Sequence, residues 1–269
     1  MGRFTAFILG RLRAWDPRSR LGIIIALLLI IPALITAAAG PENLRTPATI
    51  AVMGLVIVTQ LIIMWENRGM VTEYTRAQRH YRRGDFAAVR DLLEKRRASG
   101  KADVNELTLL GNAYRQIGQL DTSAQVLSEA LNIRPDHYFP RYGFGRTLIA
   151  QGEYDRAVEM IESALAQGAP PVVQFDLGEA LYRAGQAERA TAMLREAQAI
   201  PNAEPYRALM TAYLLARLDA APQAAVAQVG DIDLGLAYWQ AQAERFGTTR
   251  YGDDLAADLQ YMRHIAEER

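Results

Sequence analysis

The chain has 269 residues, with 30 basic and 30 acidic side chains and no cysteine, which excludes disulfides, thiolate metal sites and a cysteine nucleophile. The zero net charge hides a split: residues 1–100 carry 15 basic and 7 acidic residues, net +8, whereas residues 101–269 carry 15 and 23, net −8. The first part suits an anionic lipid surface, and the second repels the phosphates of a nucleic acid, so no nucleic-acid partner is expected.

Residues 1–20 are a basic tail in which Phe4, Phe7, Ile8, Leu12 and Trp15 follow helical spacing, an amphipathic pattern for a membrane interface. Two charge-free apolar runs follow, 21–39 and 48–65, each near the ~20 residues that span a bilayer as a helix. Residues 21–66 therefore read as a transmembrane hairpin, with Pro32 kinking its first span and Pro47 opening its second. Arg3, Arg11, Arg13, Arg18 and Arg20 flank one side and Arg68, Arg76, Arg79, Arg82 and Arg83 the other, against Arg45 alone in the loop. The positive-inside rule then puts both termini in the cytoplasm, with the chain a multi-pass protein of the cell inner membrane. Two lysines, Lys95 and Lys101, in an alanine-rich chain point to a GC-rich bacterial genome.

Beyond the hairpin, Gly84, Gly118, Gly152 and Gly185 recur at intervals of 34, 34 and 33 residues. A fixed period of this length marks stacked supersecondary units, none able to bury its apolar face alone. Residues in step with the turn glycines read as two helices per unit. Leu110-Gly111, Phe144-Gly145 and Leu177-Gly178 supply a side-chain-free contact on the first helix, and Ser123, Ala157 and Ala190 a small residue on the second. Pro135, Pro170 and Pro201 separate the units.

This pattern resembles the tetratricopeptide repeat. The resemblance is strongest over residues 104–203. It is degenerate over 71–103, where Arg76-Ala77 replaces the apolar-Gly pair, and over 205–229, where Asp219 stands 34 residues after Gly185. It implies an all-α α-solenoid over residues 70–230, whose first helices line a groove for a protein or peptide partner. Carried over position by position, the groove residues are Tyr74, Gln78, Tyr81, Asn112, Arg115, Tyr142, Arg146, Phe175, Glu179 and Tyr182. Asn112 matches one residue of the carboxylate-gripping pair found in some relatives, but Thr108 stands where its lysine belongs.

Residues 231–269 read as two capping helices over the last repeat. Leu234, Tyr238, Ala241 and Arg245 share one helical face, and Leu255, Leu259, Met262 and Ile265 another, with Asp253-Asp254 at a helix N-cap. No catalytic constellation emerges: His80, His137 and His264 lack companions at metal-ligand spacing, and no phosphate-binding glycine loop or nucleophile elbow occurs. No cofactor or metal is expected. The chain reads as a membrane-anchored scaffold or assembly factor with a membrane-associated protein partner. The alternative is an accessory subunit of an integral membrane complex, with the hairpin as its main interface and Ala33 and Ala37 as a small-residue contact.

Overall fold

The structure is a computed structural model that describes residues 17–68, 72–222 and 224–267. The basic amphipathic tail, apart from its last residues, lies outside them. The fold is all-helical, 81% helix, with no strand among the described residues. Two units separate at residue 72, Met1–Thr72 and Glu73–Arg269.

The first unit is a hairpin of α1 (Pro17–Ala39) and α2 (Glu42–Arg68). Its turn is shorter than the sequence suggested, because α2 begins at Glu42 and Pro47 lies inside the helix. The Gly40-Pro41 turn is closed by Gly40 N–H donating to the Thr36 carbonyl at 3.0 Å and by Arg45 Nε donating to the Gly40 carbonyl at 2.9 Å. Pro47 forfeits one helical hydrogen bond there, which an end turn tolerates better than a helix centre. Gly22, Ile23, Ala26 and Ala48 bring the helices together; a Cβ on Gly22 would meet Ile62 at 3.2 Å. The other faces point outward and are apolar, with Leu28 64% exposed and Leu21, Ile24, Ile35, Ile50 and Ile57 also exposed. Their lengths and hydropathy are those of membrane spans.

The second unit is a succession of helix pairs, taken in chain order as α3 (Glu73–Arg82) with α4 (Phe86–Ala98), α5 (Val104–Gln116) with α6 (Leu120–Ile133), α7 (Tyr138–Gln151) with α8 (Tyr154–Ala166), α9 (Gln174–Arg183) with α10 (Ala187–Gln198), and α11 (Pro205–Arg217) with the short α12 (Ala224–Ala227). The period has a steric origin. A Cβ on Gly111, Gly145 or Gly178 would lie 2.5, 2.5 and 2.8 Å from Leu127, Ile161 and Leu194 of the paired helix, closer than real carbons approach. Opposite them, Ser123, Ala157 and Ala190 are fully buried, and Ser123 Oγ donates to the Gly111 carbonyl at 2.7 Å.

The turns repeat a second device. The Gly118 N–H donates to the Arg115 carbonyl at 3.1 Å and the next N–H, of Gln119, to Tyr114 at 2.9 Å, with Gly118 at φ +80°. In the fifth pair Asp219 takes the same place at φ +54°, donating to Ala216 at 3.1 Å, while Ala220 donates to Leu215 at 2.9 Å. The left-handed turn therefore persists where glycine does not, since aspartate tolerates this conformation better than most residues.

After α12 the chain forms α13 (Ile232–Arg245) and α14 (Arg250–Glu267). Helix α14 starts at Arg250, three residues before the expected aspartate cap, and Thr249 Oγ1 accepts the Gly252 N–H at 3.3 Å. Leu255, Leu259, Met262 and Ile265 are buried on one face, as their spacing requires. In α13 the inward face differs from the expected one: Ile232, Gly235, Trp239, Gln242 and Ala243 are buried, and Leu234 is 64% exposed. The indole of Trp239 decides this rotation, by filling a space beside Phe175 and donating Nε1–H to the Tyr206 carbonyl at 2.7 Å.

Candidate partner-binding groove

The first helices of successive pairs, α3, α5, α7, α9 and α11, set one residue per repeat in register along the inner face: Gln78, Asn112, Arg146, Glu179 and Tyr213. Six of the ten sequence-assigned groove residues line a single cleft. These are Gln78, Tyr81, Asn112, Arg115, Tyr142 and Arg146, joined by Arg82, Leu109 and Phe139 around a volume of about 490 Å³. Tyr74 is half-buried just beyond, bonded to Gln78 and packed on the small core around Leu93 and Leu110.

Phe175 and Glu179 are not available to a partner, because the chain itself occupies them. Helices α13 and α14 do more than close the last repeat. They return along the inner face, and Tyr238, Trp239, Gln242, Phe246 and Tyr251 fill the groove between Arg115, Arg146, Phe175 and Glu179. Tyr251 Oη donates to Glu179 at 3.0 Å and Arg245 reaches Gln116. Arg183, buried, joins Glu179 at 3.0 Å to Asp258 at 2.9 Å, and Tyr213 Oη donates to Asp258 at 2.7 Å. Asp254 accepts from Tyr154 Oη. Tyr182 lies at the edge of this cluster, bonded to Arg217, whose guanidinium covers the Tyr261 ring at 5.1 Å.

The charges behave as their surroundings require. Burial pushes the Glu179 carboxyl above its ordinary range against the pull of Arg183. Burial also opposes the charge on Arg146, yet Asp176 beside it holds its pKa well above the ordinary value. Asp176 is buried between Arg146 Nε at 3.2 Å and Tyr142 Oη at 2.6 Å, and burial with this carboxylate raises the tyrosine pKa. Arg115 has no such companion: burial pushes its pKa down and Arg146 pushes the same way.

Sequence reasoning missed Asp176, Arg183, Asp258 and Tyr251. Asp176 adjoins the predicted Phe175 and was legible as its helical neighbour; the other three matter only through the return of the C-terminal helices. The histidines are spread out. His80 lies 3.1 Å from Asp85, and His137 Nδ1 accepts the Phe139 N–H at 3.2 Å as the cap of α7.

Residues 114–174 and 148–213 match the family described as tetratricopeptide repeat, and residues 70–95 match a second profile of the same repeat. Superkiller protein 3 of Saccharomyces cerevisiae is 32% identical over 82 residues, 30% of this chain and only 6% of that protein. Among solved structures, MamA (residues 41 to the end) of Desulfovibrio magneticus RS-1 is similar at 20% identity, over 66% of this chain and 95% of that one, with a TM-score of 0.47. A thermophilic tetratricopeptide repeat protein of Thermus thermophilus is similar at 17% identity, over 64% and 96%, with a TM-score of 0.49. Over residues 70–95 and 114–213 the helix pairs of the second unit match the tetratricopeptide repeat, a unit that generally serves protein–protein interaction.

Proposed function

We propose that this chain is a membrane-anchored scaffold or assembly factor that receives a protein partner in the open, N-terminal part of its groove. The observation that carries the reading is the cleft of Gln78, Tyr81, Asn112, Arg115, Tyr142 and Arg146, which no part of the described chain fills. Its tyrosines supply contact area at small entropic cost and its arginines and amides supply directional bonds, a composition typical of interfaces. The anchor rests on α1 and α2, whose outward leucines and isoleucines need an apolar surrounding. The arginine distribution supports a cytoplasmic groove at the inner membrane.

A photo-crosslinking residue at Gln78, compared with one at Glu188 on the exposed side of α10, tests the groove in native membranes. A protein adduct from position 78 and none from 188 is expected; equal adducts from both would remove the groove from consideration. Topology is open to single-cysteine labelling because the chain has no cysteine of its own. Asn43→Cys should react with an impermeant maleimide from outside the cytoplasm, and Ser99→Cys only after permeabilisation.

A second reading, an accessory subunit held by its hairpin, is favoured by the exposed apolar area of α1 and α2. Ala33 and Ala37 are half-buried within the described hairpin, so a contact through them would be partial. Replacing the hairpin by an unrelated one separates the readings: a scaffold keeps its groove adducts and a subunit loses its complex.

A further inference from the structure

Two arginines of successive repeats, at different register positions, meet different fates. For one, the carboxylate of Asp176 on α9 comes to rest between Arg146 Nε and Tyr142 Oη of the preceding repeat. The residue in step with Asp176 one repeat earlier is Gly143, 33 residues before it, the same interval as from Gly145 to Gly178. Gly143 carries no side chain, and a Cβ there would meet Leu127 at 3.0 Å and Asn112 Oδ1 at 3.1 Å, so this position supplies no carboxylate. The carboxylate supplied from within the chain at the fourth repeat is missing at the third.

Arg115, one turn beyond the Asn112 that stands in step with Arg146, lines the open cleft. It is 3% exposed, its hydrogen bond is a long contact of 3.4 Å with Asn112 Oδ1, and its Nε is buried without a partner. Besides burial, the groups that act on it most are Arg146, Tyr81, Tyr142 and Tyr238, and among the described residues no carboxylate forms an ion pair with it; Asp176 and Glu179 line a cavity it shares, but pair with Arg146 and Arg183. A guanidinium withdrawn from water without a counter-charge is costly, and proteins rarely keep one without use. Arg146 is already paired with Asp176, so the unmet charge in the cleft's buried wall is a single one, matched to a carboxylate rather than to a dianionic phosphate. Tyr81, Leu109, Phe139 and Tyr142 form apolar walls for the residues that would flank it.

Resting on the groove reading above, we propose that the cleft between α3, α5 and α7 takes an aspartate or glutamate side chain from within the partner's sequence, bound by Arg115 as Asp176 is bound by Arg146. The acidic residue enters from the open side of the cleft, beside Asn112 and Tyr81. Its neighbours in the partner are apolar or aromatic.

The test is selection from a library of random peptides displayed between two tethers, so that no terminus is free, on the full-length protein in detergent. A parallel library presents free C-termini. Expected is enrichment of Asp or Glu at one position in the tethered library, and a loss of about tenfold or more when that residue becomes Asn or Gln. The same loss should follow with Arg115→Gln. Selected sequences without an acidic preference overturn this inference and leave the groove reading standing. Enrichment confined to free C-termini overturns it in favour of a terminal carboxylate, and failure to select any sequence overturns the groove reading as well. Thermal unfolding adds an independent arm: Arg115→Leu removes an unpaired buried charge and should keep or raise the midpoint. A clear fall would show that the guanidinium has a counter-charge within the chain and would sink the proposal.

Discussion

The two halves of the inner face are built on one repeat and differ in what lies against it. Between α3, α5 and α7 a cleft stays open, bordered at Arg115 and Arg146 by α13, and holds a buried arginine without an ion-paired carboxylate. From α9 to α11 the groove is filled by α13 and α14, and every charged group of the central cluster, Glu179, Arg183 and Asp258, has a partner. The repeat scaffold fixes where side chains point but not whether they face a partner or the chain's own end. The half that has satisfied its polar groups is structural; the half that has not is the one able to gain from a visitor.

The largest expected effect comes from removing that cover. Truncation after Gly230 withdraws Trp239, Phe246, Tyr251, Leu255, Leu259, Met262 and Ile265, all buried. Each is worth about 1.5–3 kcal/mol when taken from water, so together they rival the roughly 5–15 kcal/mol that holds an ordinary domain together. The truncated chain should lose cooperative thermal unfolding by circular dichroism. A truncated chain that melts as the full one does would reduce the two helices to an appendage and collapse the contrast between the halves.

Next in size is Arg183→Met, which strands the Glu179 and Asp258 carboxylates in the covered half. Breaking a buried ionic cluster by removing one member costs about 3–5 kcal/mol, measurable as a large shift in the denaturation midpoint. Its counterpart in the open half, Arg115→Leu, should not destabilise at all. The two substitutions remove the same charge from equally buried positions, so opposite outcomes isolate pairing as the cause; equal losses would show that the halves are alike.

Smaller, and indifferent to the two halves, is Gly145→Ala. Its methyl group would meet Ile161 Cγ1 at 2.5 Å and push α7 from α8, an overpacking cost of about 1–3 kcal/mol. A loss of this size with unchanged peptide selection would confirm that the scaffold and the inner face can be altered separately. A gain in stability would mean that the glycine period does not arise from close helix approach.

That period explains what the sequence could reveal. Gly111, Gly145 and Gly178 each solve one packing problem locally, against a residue 16 places further on, so the solution is repeated at a fixed interval. The charge-free runs of the hairpin are equally local. The fate of Glu179 was not legible, because it depends on Tyr251, 72 residues away, and on Asp258, 75 residues beyond Arg183. Nothing in the helical spacing of residues 231–267 says which surface they will meet. Their apolar stripe announces burial, and Leu234 misled because the face was set by the indole of Trp239 rather than by the larger number of aliphatic residues. Asp176 shows the intermediate case: it stands next to a predicted groove residue, but its pairing with Tyr142, 34 residues earlier, is a contact between repeats rather than within one.

The finest distinction between the halves lies in the pH dependence of two glutamates. Glu129, on α6 in the N-terminal half, accepts two bonds from Arg97, at 2.8 and 2.5 Å, and that hydrogen bonding holds its pKa below the ordinary 4.5. Glu179, covered by α14, is pushed above 4.5 by burial and by Asp176, with Arg183 and Tyr251 pulling the other way. A folded pKa that is depressed means stability present above the unfolded value and lost as pH falls through the folded one; a raised pKa means stability present below the unfolded value and lost as pH rises through the folded one. The advantage of wild type over Glu129→Gln should therefore shrink as pH is lowered below 4.5. The advantage over Glu179→Gln should shrink as pH is raised above it. Denaturant midpoints of the three proteins measured from acid to neutral pH would show two difference curves of opposite slope. Curves of the same slope would mean that α14 does not shield Glu179 from water, and the covered half of the groove would then be as open to a partner as the other.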